Sequence, residues 1–300
     1  MRICAGVFLV FAGDVSEERR TTVDCDVLIG RAPGVRGMGN KMAPSTTFDL
    51  HNQVNSLMSD LERHPVYGND YFKFLENSAW TRQTYDFHRA NFFHRTEGTV
   101  KGIAHVCARA AANDDRDTLI LFAYILNEET GNGNRAHCHE VFMENAHNLH
   151  GQAEFDLPSL LVKDARSSKL ILDETVAYRK RTLELLSGSY HRMLGVVMAL
   201  ESHADKMLRI CRTAFRASRK NLTQSDFVKK VEVYFNAHVS NGVEERHAAD
   251  AKQCVINNCQ TEADIAEIAY GANETLNIQL AMWNAMYEKA CALNAAPGAR

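Results

Sequence analysis

The stretch that decides the fold is LILFAYILNEETGNGNRAHCHEVFM, residues Leu119–Met143. It opens with an almost wholly apolar run, and Glu129 follows seven, four and three residues after Phe122, Ile125 and Leu126. Residues at these spacings share one face of an α-helix. The sequence therefore predicts that the Glu129 carboxylate points into the protein core.

A glycine loop separates this helix from the next one. Gly131-Asn132-Gly133 interrupts the helical pattern, and the helix that follows carries His139 on the same face as Phe142 and Met143. Glycine allows the chain to turn sharply at such a point. We therefore expect Glu129 and His139, two side chains able to bind a metal, to face one core from either side of the loop.

The rest of the chain has the pattern of an all-α protein. From residue 48 onward apolar residues recur at spacings of three and four, and only Pro65 and Pro158 occur before the carboxyl-terminal tail. We predict one up-and-down helical domain over residues 46–294. The first predicted helix ends near residue 63. The others span roughly residues 80–112, 115–129, 136–149, 159–186, 188–218, 223–240, 243–258 and 261–293.

Composition excludes several classes of protein. A net charge of -3, with scattered basic residues, gives no footprint for nucleic acid. Eight cysteines without CxxC pairs indicate reduced thiols and a cytoplasmic protein. The apolar run of residues 3–12 is too short to span a membrane.

We predict that residues 1–45 form a disordered extension, with an ordered arm or a targeting segment as alternatives, and that residues 295–300 form a disordered tail.

A second inward carboxylate is predicted at Glu201. Apolar residues surround it at helical spacing: Leu194, Val197, Met198, Ala204 and Leu208. An isolated ionised carboxylate in such a setting is costly unless a cation or a hydrogen-bond donor meets it. A metal ion is one such cation. A structural salt bridge to Arg192, Arg209 or Arg212 is the alternative.

A third group of candidate ligands lies in HVSNGVEERH, His238–His247. Glu244 and His247 are three residues apart and share one helical face, while Glu245 is the rival of Glu244. His238 precedes His247 by nine residues, which places it on the opposite side of an ideal helix. It can join the same site only if the helix bends or bulges near residues 240–242.

Other polar and aromatic residues have more ordinary interpretations. His137 points away from His139 along the helix, and His147 and His150 lie near the predicted helix end, where we expect them to be solvated. Phe142, Tyr124 and Tyr190 are predicted to be packing residues. The alternative is that one of the two tyrosines lines a substrate cavity.

The segment NEETGNGNRAHCHEVF, residues 127–142, resembles the first core motif of the heme-oxygenase-like diiron oxidases. In that family an acidic residue, a glycine loop and a histidine ten residues on are followed by an aromatic, and a glutamate on the next core helix and a His-x3-Asp-x2-His cluster complete the site. The resemblance covers roughly residues 80–270. It implies a heme-oxygenase-like bundle of about seven or more helices that holds two Fe(2+) ions and uses O2. The implied ligands are Glu129, His139, Glu201, His238, Glu244 and His247.

Two departures from the family pattern shape the expected function. The third cluster here is His-x5-Glu-x2-His, two residues longer than the family form and with a glutamate in place of the aspartate. The N-oxygenases of the family bring an extra carboxylate from the helix before the first motif. Here residues 98–109 have none, and Glu97 is the nearest. The resemblance therefore favours cleavage of a C–H bond over N-oxygenation.

The expected reaction is desaturation or cyclisation of a free aliphatic amino acid in natural-product biosynthesis. One alternative is a medium-chain fatty-acid oxidative decarboxylase, which would need a long apolar tunnel ending at a cationic anchor. A metal-free thiaminase-like or cofactor-binding helical protein is the second alternative, and a non-catalytic interaction protein is the third. We further expect a homodimer, a small-molecule substrate, use of an external electron donor, and no nucleic-acid or membrane partner.

Overall fold

The computed structural model describes residues 46–295, and these residues form helices joined by short turns, with no strand among them. Three one-turn 3-10 helices lie at Pro65–Gly68, Arg135–His137 and Ser240–Gly242, and a π-helical turn lies at Phe227–Val231. The α-helices are α1 (Thr46–Glu62), α2 (Asp70–Asn77), α3 (Arg82–Thr96), α4 (Thr99–Ala112), α5 (Arg116–Glu129), α6 (His139–Phe155), α7 (Val162–Ala165), α8 (Asp173–Leu186), α9 (Tyr190–Ser218), α10 (Gln224–Asp226), α11 (Glu232–Val239), α12 (Val243–Asn258) and α13 (Glu262–Ala295).

The predicted all-α class is confirmed, and so are the bounds of most long helices. Helix α12 matches its predicted range, and α5, α9 and α13 differ from theirs by one or two residues. Several predictions of helical structure need correction. The predicted helix over residues 80–112 is two helices that divide at Glu97–Gly98, the predicted helix over 159–186 is only the short α7 and then α8, and α2 had no predicted counterpart.

Helix α9 is the centre of the bundle. Its 29 residues pack against α13, α12, α11, α8 and α2. The crossing with α13 is close enough that a Cβ atom on Gly195 would overlap the carbonyl oxygen of Ile268, and one on Gly271 would overlap that of Arg192. Backbones can approach this closely only where a helix has no side chain. The two glycines therefore bring α13 directly onto the helix that carries Glu201.

The helix is interrupted between α11 and α12. The sequence requires this interruption if His238 and His247 are to meet. Asn241 and Gly242 adopt left-handed conformations with φ of 57° and 66°. Glycine and asparagine tolerate this conformation better than other residues. The turn redirects the chain, and both His238 and His247 are buried on its two sides. The predicted break at residues 240–242 is confirmed.

Other sequence predictions concern the ends of the chain, the thiols and the membrane. The predictions for residues 1–45 and for the tail after residue 295 lie outside the described residues. The six cysteines within the described range are free thiols. Within that range, no helix combines the length and the apolar character that a transmembrane span needs.

Candidate metal centre

Six predicted site residues reach one cavity from five helices. Glu129 is the last residue of α5 and His139 the first residue of α6, so the glycine loop between these helices places the two side chains together. The other four predicted residues line the same cavity: Glu201 on α9, His238 on α11, and Glu244 and His247 on α12. The structure therefore brings all six predicted residues into one place.

These residues form two clusters, and the members of each cluster come from two or more helices. Glu129, His139 and His238 form the Glu129 cluster, and Glu201, Glu244 and His247 form the Glu201 cluster. Within each cluster the three possible ligand atoms lie within 4.8 Å of one another. Two ligands of one transition-metal ion, each about 2 Å from it, are separated by up to roughly 4 Å. A small inward movement of the side chains would bring either cluster onto an ion.

The Glu129 cluster holds a ring nitrogen that lacks a hydrogen bond. His139 Nδ1 lies 3.1 Å from Glu129 Oε1, but the buried nitrogen is not aligned for a hydrogen bond. The rings of His139 and His238 have centroids only 4.4 Å apart. A metal ion bound by both imidazoles would give this nitrogen a partner. The cluster therefore fits a metal ion.

Glu244 connects the two clusters. Its Oε1 lies 2.7 Å from His238 Nδ1, and its Oε2 lies 3.8 Å from His247 Nδ1. Glu201 Oε2 is also 3.8 Å from His247 Nδ1. Glu244 thus lies against residues of both clusters and would help to hold an ion in either of them. Glu245 is exposed and pairs with Arg209, so it is Glu244, and not its rival, that faces this site.

Several carboxylates lie close to one another in this site, and their proximity affects their pKa values. Burial and the nearby Glu244 carboxylate raise the pKa of Glu201 above its ordinary value. Burial also acts to raise the pKa of Glu244, but the hydrogen bond with His238 and the nearby His247 ring lower it overall. Carboxylates and histidines thus share protons here, and divalent cations could replace those protons.

The salt-bridge alternative for Glu201 finds no support among the described residues. Each of the three candidate arginines pairs with another acid: Arg192 with Glu267, Arg209 with Asp205 and Glu245, and Arg212 with Glu232. The ion pair found for Glu201 is the one with His247. The half-buried Glu201 carboxylate therefore has no arginine partner among the described residues.

The sequence reasoning missed Glu128. Its Oε2 accepts a hydrogen bond from His247 Nε2 at 3.1 Å, and its Oε1 accepts one from the Tyr124 hydroxyl at 2.8 Å. A carboxylate on the far nitrogen of a metal-binding histidine fixes the ring and its tautomer. With Nε2 engaged by Glu128, His247 presents Nδ1 to the Glu201 cluster. The only available signal was that Glu128 directly precedes Glu129.

The clusters lie at the wall of a cavity of about 170 Å³ with a mainly apolar lining. Tyr178 and Tyr234 line it, and the alternative suggested for Tyr124 and Tyr190 is not supported. Tyr124 is exposed and binds Glu128, whereas the Tyr190 hydroxyl donates to Asp115 Oδ2 at 2.7 Å.

The prediction that His147 and His150 are solvated is wrong. Both rings are buried. Helix α6 continues to Phe155, beyond the predicted end at residue 149, so these histidines occupy the interior of the helix rather than its end. His150 Nε2 and Ser218 Oγ on α9 form a hydrogen bond of 2.9 Å, and His147 Nδ1 donates to the carbonyl of Met143 at 2.9 Å.

The bundle has the heme-oxygenase-like fold. A domain of unknown function with this fold from Shewanella denitrificans OS217 superposes with a TM-score of 0.53 at 16% identity, over 84% of this chain and 97% of that chain. Two crystal structures of a CADD-like protein of unknown function from Nostoc punctiforme PCC 73102 superpose with TM-scores of 0.60 and 0.59 at 14% identity. They cover 81% and 84% of this chain and 98% and 99% of theirs. At such identities the likeness concerns the fold alone.

The family follows from the sequence. The chain belongs to the family described as iron-containing redox enzymes, whose sequence model matches residues 88–280, more than half of the chain. The matched range contains both clusters. No curated protein matches the chain. The predicted fold class and family are confirmed, and the number of irons and the six ligands stay predictions.

Proposed function

We propose that this chain is a non-heme diiron oxidase that activates O2 against a small substrate, with desaturation or cyclisation of a free aliphatic amino acid as the favoured reaction. The observation that carries the proposal is that two clusters of carboxylate and imidazole ligands line one cavity and share Glu244. Carboxylate-rich sites with imidazole ligands in a helical bundle suit paired iron.

The donor set fits two ferrous ions. The Glu129 cluster would hold one ion, the Glu201 cluster the other, and Glu244 is placed to serve both. When bound, the two ferrous ions would supply two of the four electrons that reduce O2 to water, the substrate would supply the other two as it loses two hydrogens, and the external electron donor would return the ions to the ferrous state. The side chains of the protein have the remaining roles. The apolar cavity walls exclude water and hold the substrate, and Glu128 keeps the His247 ring oriented.

The size of the cavity supports a small substrate. An engineered protein cavity of about 150 Å³ holds one benzene molecule, and the cavity here is about 170 Å³. A short aliphatic amino acid is of this size, whereas a medium-chain fatty acid is much larger. The observation therefore favours the amino-acid reaction over the fatty-acid alternative.

The position of Glu97 supports C–H cleavage rather than N-oxygenation. Its Oε2 lies 2.5 Å from Arg179 and its Oε1 lies 3.7 Å from Lys101, so both oxygens face basic groups. Glu97 is thus engaged in a salt-bridge network, which leaves no free carboxylate among residues 97–109 to serve as a further iron ligand.

The full-length protein is expected to take up about two ferrous ions per chain under anaerobic excess iron, because six inward ligands exceed what one octahedral ion needs once a bridging carboxylate is counted. Metal analysis after removal of free iron measures the stoichiometry. Glu244→Gln should lower it, while the exposed neighbour variant Glu245→Gln should match the wild type. One ion or fewer in the wild type would refute the dinuclear proposal.

The reaction itself is tested by mixing the iron-loaded protein with O2 and a panel of amino and fatty acids while absorbance is followed by stopped flow. The expected result is that a short aliphatic amino acid accelerates oxidation of the ferrous site and is converted to a product that has lost hydrogen. Acceleration by medium-chain fatty acids alone would favour the decarboxylase alternative.

The glycine loop provides a matched pair of variants. Gly131 and Gly133 both have left-handed φ, of 80° and 82°. A Cβ on Gly131 would lie 2.6 Å from the Cys138 amide nitrogen and 2.7 Å from the His137 carbonyl carbon, whereas one on Gly133 would meet nothing within 4 Å. Gly131→Ala must therefore displace the backbone that leads into His139.

Gly131→Ala is expected to lose the iron of the Glu129 cluster, and Gly133→Ala to keep it and to pay only the backbone strain of about 1 kcal/mol. Iron per chain and thermal unfolding measure both effects. If the two variants retain the same amount of iron, the loop does not position the ligands.

A further inference from the structure

Arg95, on α3, presents a guanidinium to the cavity that contains both clusters. Its central carbon lies 5.5 Å from the ring centre of Tyr178, 5.6 Å from that of Trp283 and 5.9 Å from that of Phe92. Aromatic faces attract and orient a guanidinium, but they do not neutralise its charge. Arg95 is therefore held firmly in place beside the cavity.

No carboxylate of residues 50–295 forms a salt bridge with Arg95. Its protein partner is the neutral Gln279 side chain, whose Oε1 accepts a long hydrogen bond of 3.4 Å, and the buried Nε of Arg95 has no acceptor. The buried Nε2 of Gln279 also lacks an acceptor. The surroundings of Arg95 thus offer more hydrogen-bond donors than acceptors.

Arg179, the other arginine that lines the cavity, differs in this respect. It lies 2.5 Å from Glu97 Oε2, so its charge is already balanced. Arginine stays protonated in proteins, and a partly buried charge without a counterion costs free energy. Of the two cavity arginines, Arg95 is the one left with charge to pair with an anion.

We propose that Arg95 binds the carboxylate of the substrate. The inference rests on the proposed function, because it identifies a monocarboxylate as the substrate class of the same cavity. A guanidinium offers paired donors that match a carboxylate. With its carboxylate on Arg95, a short aliphatic substrate lays its carbon chain along the apolar wall toward the two clusters.

The test measures binding of three probes of equal length, hexanoate, hexanamide and hexylamine, to the full-length protein by calorimetry. Each probe is titrated into chelator-treated protein and into anaerobically iron-loaded protein. Hexanoate is expected to bind both forms and hexylamine neither. In Arg95→Met the affinity for hexanoate is expected to fall about tenfold or more, as loss of a charged hydrogen-bonded pair predicts.

Arg192→Met is the matched control. Arg192 also stacks on an aromatic ring, that of Tyr270 at 4.7 Å, but it pairs with Glu267 and is not among the residues that line the cavity. This variant should bind hexanoate like the wild type. Arg95→Lys keeps the charge without the planar donors, and it should bind hexanoate with an affinity between those of the wild type and Arg95→Met.

The proposal is overturned if hexylamine binds as well as hexanoate, if Arg95→Met and the wild type bind hexanoate equally, or if hexanoate binds only the iron-loaded form, since the metal would then hold the carboxylate. If Arg95→Met does not fold, the wild-type probe series and Arg95→Lys decide. Iron per chain is measured on the same samples. Hexanoate binding without iron uptake would support Arg95 and refute the diiron proposal, so the two failures are distinguishable.

Discussion

Glu201→Ala and His139→Ala are each expected to abolish O2-dependent turnover, with a loss larger than the roughly 10- to 100-fold typical of residues that only support a metal ligand. Each substitution removes one proposed ligand, from a different cluster. The helical content should stay that of the wild type, because neither side chain belongs to the apolar core. Oxygen consumption and circular dichroism measure the two properties on the same preparations.

The isosteric variant Glu201→Gln separates loss of the ligand from loss of packing, because it keeps the volume of the side chain and removes its charge. It should be as inactive as Glu201→Ala. The control Glu245→Ala removes an exposed carboxylate and should stay active. Retained turnover in Glu201→Gln or in His139→Ala would show that the ligand assignment is wrong.

Acidification from pH 7.5 to pH 5 is expected to lower the free energy of unfolding by about 2 kcal/mol for each histidine that burial holds neutral, offset in part by Glu201 and His247, whose pKa values are raised in the folded protein. Burial lowers the pKa of His88 to about 3, that of His150 to about 4, and that of His147 far below its ordinary value. In the unfolded chain these groups regain a pKa of about 6.5. Below that pH the unfolded chain binds more protons than the folded chain, so stability falls as the pH falls. Urea unfolding across the range measures the loss.

A matched pair of variants isolates His88 from the other titrating groups. A hydrogen bond of 2.9 Å joins the Tyr71 hydroxyl and His88 Nδ1, so Tyr71→Phe serves as the reference and Tyr71→Phe combined with His88→Phe as the test. The residues of the candidate metal centre are the same in both variants, so their contributions to the pH dependence of stability cancel. Between pH 7.5 and pH 5 the double variant should lose about 2 kcal/mol less than the reference. Equal losses would mean that His88 is not held neutral in the folded protein.

The sequence was sufficient for the bounds of α5, α9, α12 and α13, because the apolar spacing of a helix is local information. The same spacing identified Glu129, His139 and Glu201 as inward-facing residues, and the nine-residue separation of His238 from His247 required the break at residues 240–242. These features depend only on helical geometry and on the conformations that Asn241 and Gly242 tolerate.

What the sequence could not supply depends on contacts between distant segments. The segment before α8 is irregular because Asn91 on α3 accepts a hydrogen bond from the Leu172 amide and donates one to the Leu170 carbonyl. Helix α2 is different, because the cap that begins it, from Asn69 Oδ1 to the Phe72 amide, is a local contact. The role of Glu128 appears only when α12 brings His247 against α5.

The close crossing of α9 and α13 also limits how the sequence of this protein can diverge. Even the methyl group of alanine at residue 195 or residue 271 would overlap a backbone carbonyl of the opposite helix, so no side chain of any chemistry is accepted there while the helices keep their separation. The polar outer faces carry no such restriction. Among distant relatives that keep the same spacing between these two helices, glycine is expected to persist at both positions after most other identities have been lost.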